Sequence, residues 1–306
     1  MNPQTAKQPL PFGRLLGAAV ATAALLAALP AQARTLDPDK PADAVEISRK
    51  VACSTVDGAP VTFWWDGRAF SRRQGEKDKV LFRVEGMNTR ACVKDTHPER
   101  GDGFKLVSRE LLLYRDIETN EVLKTWTNPW TGEELEVMHV ANDPVNFAMY
   151  EKNRDGSPFS WSGKMHEGQW RQTNTVPLWY PNPLGSKYQA EVGGTYHATE
   201  MFNFMGSKKE LLNSRTKTAG VHVGWVRMSD WLPWMKMNGR DGVIYMHTAG
   251  LKVSSWGAMP DTMKDEITKH YPEYRNPPPL DDDRRNVTSW SYYRDVSEGK
   301  VELPKR

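Results

Sequence analysis

The sequence predicts a mainly β protein: an antiparallel barrel or half-closed barrel with one helix near its C-terminal end. Three observations carry that reading. Short runs of aromatic and β-branched residues recur between Gly, Asp, Asn and Pro clusters. The chain holds 12 Trp, 10 Tyr, 9 Phe and 13 Met at a mean hydropathy of −0.66, which suits wide hydrophobic layers or an aromatic-lined cavity. One stretch alone, 259–274, has clear helical content, opened by Pro260-Asp261 and ended by Tyr271-Pro272.

The first 33 residues stand apart. Lys7 and Arg14 precede an apolar run from Leu15 to Leu29, and Ala31-Gln32-Ala33 follows. This is the order of an export signal. The run falls short of the roughly 20 residues that a bilayer-spanning helix needs, so cleavage after Ala33 and no stable membrane insertion afterwards are expected. A single arginine precedes the run, which favours general secretion over the twin-arginine route. The protein is expected in the periplasm or secreted. Cleavage removes two cations and no acid, so the formal charge falls from +3 to +1 and electrostatics offers no reason to expect nucleic acid as a partner.

Residues 34–50 are polar with two prolines and read as an N-terminal arm; 51–306 read as a single β-rich domain. Segment 60–93 breaks into strands at Asp66-Gly67, Gly75 and Gly86. Within it, Trp64 and Trp65 must face opposite ways if the segment is a strand. The run 104–128 could open a helix at Ser108, but two strands turning at Ile117 to Asn120 fit the alternation of Glu121 to Thr127 better. Trp130 to Glu133 is a turn, and in the strand after it Leu135, Val137 and His139 share a face. Pro144 ends that strand. Residues 151–192 read as a long aromatic loop. Three further strands occupy 194–205, 219–235 and 242–256, each with a histidine near its centre, and a last short strand is expected around Val287 to Tyr292. Cys53 and Cys92 either pair in an oxidising compartment or are two separately buried thiols.

The strings WWDG (64–67), LFRVEGMNTR (81–90), SRELLLYRD (108–116), EVLKTWTNPWTGEELEVMHVANDPVN (121–146), DWLPWMKM (230–237) and HYPEY (270–274) together resemble the bacterial family filed as domain of unknown function 1838. The resemblance runs through most of the mature chain. It implies an exported bacterial setting and a single β-rich domain, and it brings no assigned reaction, cofactor or catalytic residue. Members often carry a twin-arginine signal, from which this chain departs.

No nucleophile elbow, phosphate loop, CxxC or HExxH occurs. Acid–base candidates remain: the catalytic residues expected are His139, Glu200 and His247, with imidazole and carboxylate as the proton-transferring groups. Glu200 has a competing role as the partner of Arg90, Arg109 or Arg227. The ligand-binding residues expected are Trp126, Trp130, Asn142, Trp179, Tyr196, Trp225 and Tyr245, an aromatic set suited to a hydrophobic or aromatic small molecule. Asn128 and Asn142 have a second reading as turn formers beside proline.

Three functions follow in order: a cofactor-free enzyme acting by acid–base chemistry, a non-catalytic periplasmic binding protein, and a metal-dependent enzyme. The last would draw on His197, Glu200 and the other strand histidines. It is weakened because residues three apart on a strand point to opposite faces. The architecture expected by analogy is that of the calycins and lipocalins, barrels that hold one small ligand.

Overall fold

The computed structural model describes residues 34–181, 194–237 and 239–305; the expected export signal lies outside the described residues. Helix α1 (Pro41–Ala52) comes first. The 34–50 segment is therefore not a free arm. Pro41 sits where its missing N–H costs nothing, and Ala44, Ile47 and Val51 recur at helical spacing and are buried against the sheet. No side chain caps its start, which is why local signals missed it. Tertiary burial makes this helix.

Ten strands then form one antiparallel sheet. Strands β1 (Val61–Arg72), β2 (Lys79–His97) and β3 (Gly101–Arg115) are long and hairpin-connected. Strands β4 (Thr125–Thr127) and β5 (Glu134–Glu136) make a separate small hairpin. Strands β6 (Val140–Asn142) and β7 (Phe147–Tyr150) return to pair with β3. A meander follows: β8 (Lys164–His166), β9 (Gln169–Pro181), β10 (Thr195–Ser207), β11 (His222–Ser229) and β12 (Val243–Val253). The spatial order is β6-β3-β2-β1-β12-β11-β10-β9-β8.

The mainly β, antiparallel expectation is met. A closed barrel is not found, because β6 and β8 end the sheet without pairing with each other. The described part of the expected 151–192 loop is largely the β8–β9 hairpin. Pro177 is tolerated there because β8 pairs only with Gln169 to Arg171, leaving the rest of β9 as an edge that needs no N–H on that side.

The expected helix is present as α3 (Asp261–His270), and it is not alone. A short α2 (Lys208–Leu212) follows β10, and α4 (Ser289–Ser297) lies where a last strand was expected. Thr288 and Ser291 form a reciprocal capping box at the start of α4. Aromatic content had favoured a strand, and the cap favours the helix. Helices α3 and α4 cover the outer face of the β1–β3 region, with Met263, Ile267, Tyr271 and Tyr292 packed near Met87, Leu111 and Leu113.

The strand period of two divides the residues between faces. Trp64 faces outward, donating its indole N–H to buried Glu85 at 3.0 Å. Trp65 faces inward against Trp225. Inside, one core cluster gathers around α1, with Phe63, Phe104, Leu106 and Trp170. A second holds Phe82, Tyr114, Trp234 and Met246.

Helix α1 is fastened twice, once to the sheet and once to α2. Cys53, just past its end, forms a disulfide with Cys92 of β2, Cα atoms 6.1 Å apart. Lys50, with no exposed surface, donates to the carbonyls of Glu210 and Asn213 at 2.8 Å each and to that of Leu211, so its ammonium closes the C-terminal end of α2. Burial lowers its pKa to about 8. Because the cysteines are 39 positions apart, chain entropy assigns the disulfide roughly 4 kcal/mol. Cys53→Ser or Cys92→Ser is expected to lower unfolding free energy by that order in a urea titration, and reductant should bring the wild type down to the same midpoint.

Candidate functional site

The inner face does not close on itself everywhere. Between the two inner clusters lies a cavity of about 560 Å³. Leu106, Ser108 and Glu110 of β3 and Gln172, Asn174 and Val176 of β9 line the same space, although six steps of the sheet order separate those strands. The sheet therefore curls around it, and Ser48, Val51 and Ala52 of α1 close one side.

The floor is aromatic. Trp65 and Trp225 meet edge to face with centroids 6.3 Å apart, and Phe202 stacks on Phe204 at 5.7 Å. Trp65 can lie flat because its neighbours on both adjoining strands are glycines, Gly86 on β2 and Gly250 on β12. A Cβ at Gly86 would stand 2.3 Å from the indole, and one at Gly250 would stand 2.5 Å from the Cβ of Trp65.

Four charged groups stand among these rings. Asn88 pairs in register with Glu110, and Arg90 with Ser108, across β2 and β3; Glu200 pairs in register with Arg227 across β10 and β11. Arg227 donates to Glu200 at 2.8 Å. Glu110 accepts from the Asn142 amide at a long 3.5 Å, and no ion pair within 4 Å holds it among the described residues. Burial first, and the nearby Glu200 charge second, push its pKa up to about 7, against the opposing pull of Arg227, Arg90 and Asn142. Arg90 donates through Nε to the Asn88 Oδ1 at 2.6 Å and stands 4.6 Å over the Phe63 ring. Burial lowers its pKa to about 10.

The Asn142 amide is positioned by the turn after β6. Asp143 is ion-paired with Arg109 at 2.9 Å and accepts from Arg284 at 2.7 Å, while Asn146 accepts from the Ser108 N–H at 3.0 Å. Asn142 thus acts on Glu110, whereas Asn128 fills the turn role: its Oδ1 accepts from the Trp130 N–H at 2.9 Å.

Of the residues expected to form a site, Glu200 and Trp225 line the cavity and Asn142 reaches it through Glu110. The others lie elsewhere. His139 is buried, with Nδ1 accepting from the Tyr114 N–H at 3.0 Å and Nε2 facing the Leu123 carbonyl at 3.1 Å. Both ring nitrogens are engaged by backbone, which requires the Nε2–H tautomer.

His247 is exposed on the outer face of β12. Trp126 packs in the second inner cluster near Phe82 and Trp234. Trp130 donates to Glu76 at 3.0 Å beneath Lys79. Trp179 is 73% exposed beside His197. Tyr245 stacks on Phe70 and donates to Asp78. The Tyr196 side chain lies outside the described residues. None of the seven histidines lines the cavity, and among the described residues no three His, Cys, Asp or Glu side chains gather closely enough to share an ion.

The residues sequence reading missed are Arg90 and Glu110. The available signal was a pair of polar residues on the inward register of two neighbouring strands, Asn88 and Arg90 on β2 with Ser108 and Glu110 on β3, each flanked by inward apolar positions.

A family model described as protein of unknown function (DUF1838) matches residues 58–297. That span is most of the chain, and the chain belongs to this family. No curated protein matches it.

Two stability outcomes follow. Glu110 has its folded-state pKa raised from 4.5 to about 7, so the stability its protonated form contributes is complete below about pH 4.5 and is lost as pH rises through 7. Wild type is expected to lose about 2 kcal/mol between pH 5 and 8 that Glu110→Gln does not lose, read from urea unfolding at both values. His139→Ala should cost roughly 3 kcal/mol, because two buried backbone groups lose their partners, and should leave ligand binding in the cavity unchanged.

Proposed function

We propose that this DUF1838 member is an exported small-molecule enzyme that moves a proton with a carboxyl group in an aromatic pocket. Glu110 is the acid–base residue, and Glu200, held by Arg227, is the fixed charge beside it. The observation carrying this reading is the unequal pair of carboxyls in one cavity. One is ion-paired at 2.8 Å; the other has no ion pair among the described residues and is poised near neutrality.

Environments that separate two carboxyls in this way are those that assign one to proton exchange and the other to electrostatic stabilisation. A group with a pKa near the working pH gives and takes protons most effectively. The substrate is a hydrophobic or aromatic molecule, since Trp65, Trp225, Phe202 and Phe204 supply most of the floor. The acid–base role passes from the imidazoles to Glu110 because the cavity contains no histidine.

The curl that brings β3 and β9 to one space supports a half-closed, barrel-like cup as the finer architecture. Export is supported by the order of the first 33 residues and by the disulfide, a bond that persists in oxidising compartments. Among the described residues no helix is long and apolar enough to cross a membrane.

A carrier is the second reading, favoured by the predominance of apolar side chains over polar ones in the cavity wall. One experiment separates the two. Small molecules retained by protein purified from its native compartment are identified by mass spectrometry, then incubated with wild type and Glu110→Gln. The enzyme reading expects conversion by wild type, a fall of at least about 100-fold in the variant, and affinity kept within about threefold. A retained compound that wild type leaves unchanged would sink the enzyme reading in favour of the carrier.

A further inference from the structure

We propose that the molecule held in this cavity is an anionic amphiphile, a carboxylate on an apolar body, with its head group on Arg90. The inference rests on the reading that the cavity binds a small molecule, and it adds the chemical class.

Its basis is the missing partner of Arg90. Around the same sheet and α1, the other well-covered arginines each hold a carboxylate: Arg49 with Asp57, Arg109 with Asp143, Arg115 with Glu85 and Arg227 with Glu200. Arg90 lines the cavity, yet among the described residues no carboxylate lies within 4 Å of it. Its one hydrogen bond among the described residues, from Nε to Asn88 at 2.6 Å, and the Phe63 ring 4.6 Å beneath it fix the plane of the guanidinium. Both constraints leave the terminal nitrogens to be satisfied by something else. A guanidinium fork held in one plane matches a carboxylate through two parallel hydrogen bonds.

The charge balance of the space agrees. Glu200 and Arg227 cancel. With its pKa pushed up to about 7, Glu110 is mostly protonated at pH 6. Among the charged side chains that line the cavity the unpaired positive charge is that of Arg90, so one monoanion completes the site. Trp65, Trp225, Phe202, Phe204, Val223 and Leu106 offer the remaining wall to an apolar body. A half-buried cation without a partner is costly, and a ligand that supplies its partner recovers part of that cost on binding.

The test uses two probes that share a ring system and chain and differ in head charge, 1-pyrenebutyrate and 1-pyrenebutanol. Binding is read by energy transfer from protein tryptophan to pyrene at pH 6. Wild type is expected to bind the acid at least tenfold more tightly than the alcohol. Arg90→Met should lose at least tenfold for the acid and stay within about twofold for the alcohol, while Arg90→Lys, which keeps the charge and loses the fork, falls between.

Equal wild-type affinity for the two probes would overturn the assignment and leave the pocket reading standing. So would an Arg90→Met protein that melts normally and weakens both probes alike. If neither probe binds wild type, the pocket reading falls and this inference with it. Should Arg90→Met not fold, the wild-type acid-to-alcohol ratio and Arg90→Lys decide the matter.

Discussion

A strand shows alternate residues to opposite faces, and in this protein that constraint has to serve two purposes on one surface. The inward positions of β1, β2, β3, β10 and β11 build a core at each end and a hollow between. They do so without interrupting the ladder. Along β3 the inward series runs Phe104, Leu106, Ser108, Glu110, Leu112, Tyr114, apolar at both ends and polar in the middle. Along β2 it runs Phe82, Val84, Gly86, Asn88, Arg90, Cys92. The register between the two strands brings the polar centres side by side, so the ladder that folds the sheet also assembles the site.

The two carboxyls in that centre are held from outside the hollow, and Arg90 from within its wall. Asn142 approaches Glu110 from β6, and its turn is tied by Asp143 to Arg109 and Arg284. Arg90 is fixed by Asn88 on its own strand and by Phe63 on the neighbouring one. Glu200 is tied across the ladder to Arg227. Helix α1 is locked against the same region by the disulfide and by Lys50. A wall built in this way keeps its shape because each charged side chain in it is held by a named neighbour. This is the usual requirement for a site whose geometry must be ready before the ligand arrives.

Much of the sheet was legible in the sequence, because alternation over long strands is a strong signal. It placed Trp64 and Trp65 on opposite faces. The site was less legible, for three physical reasons. Arg109 and Glu110 are adjacent, one outward and one inward, inside a run that fits a helix as well as a strand. The role of His139 depends on Tyr114 and Leu123, 25 and 16 residues away in the chain, so no local pattern could reveal that its ring is spent on backbone. Helix α1 has no cap and exists through burial. Long-range pairing decided each case, and composition alone pointed to aromatic walls without saying which tryptophans form them.

Gly86 and Gly250, on either side of Trp65, bear on how such a receptacle could change over generations. The indole occupies the volume that a side chain at Gly86 would have taken, and the β1 backbone at Trp64 and Trp65 the volume of one at Gly250, so the depth of the cup is encoded by absent atoms rather than present ones. Adding a methyl group at Gly86 would lift the ring toward the ligand and make the vessel shallower, with the charged groups on β3 and β10 left in place, whereas one at Gly250 would meet the Trp64 carbonyl oxygen at 2.3 Å and press on the strand itself. Ligand length and ligand charge can therefore drift separately in this lineage, one through backbone neighbours of a single tryptophan and the other through the residues that neutralise an anion.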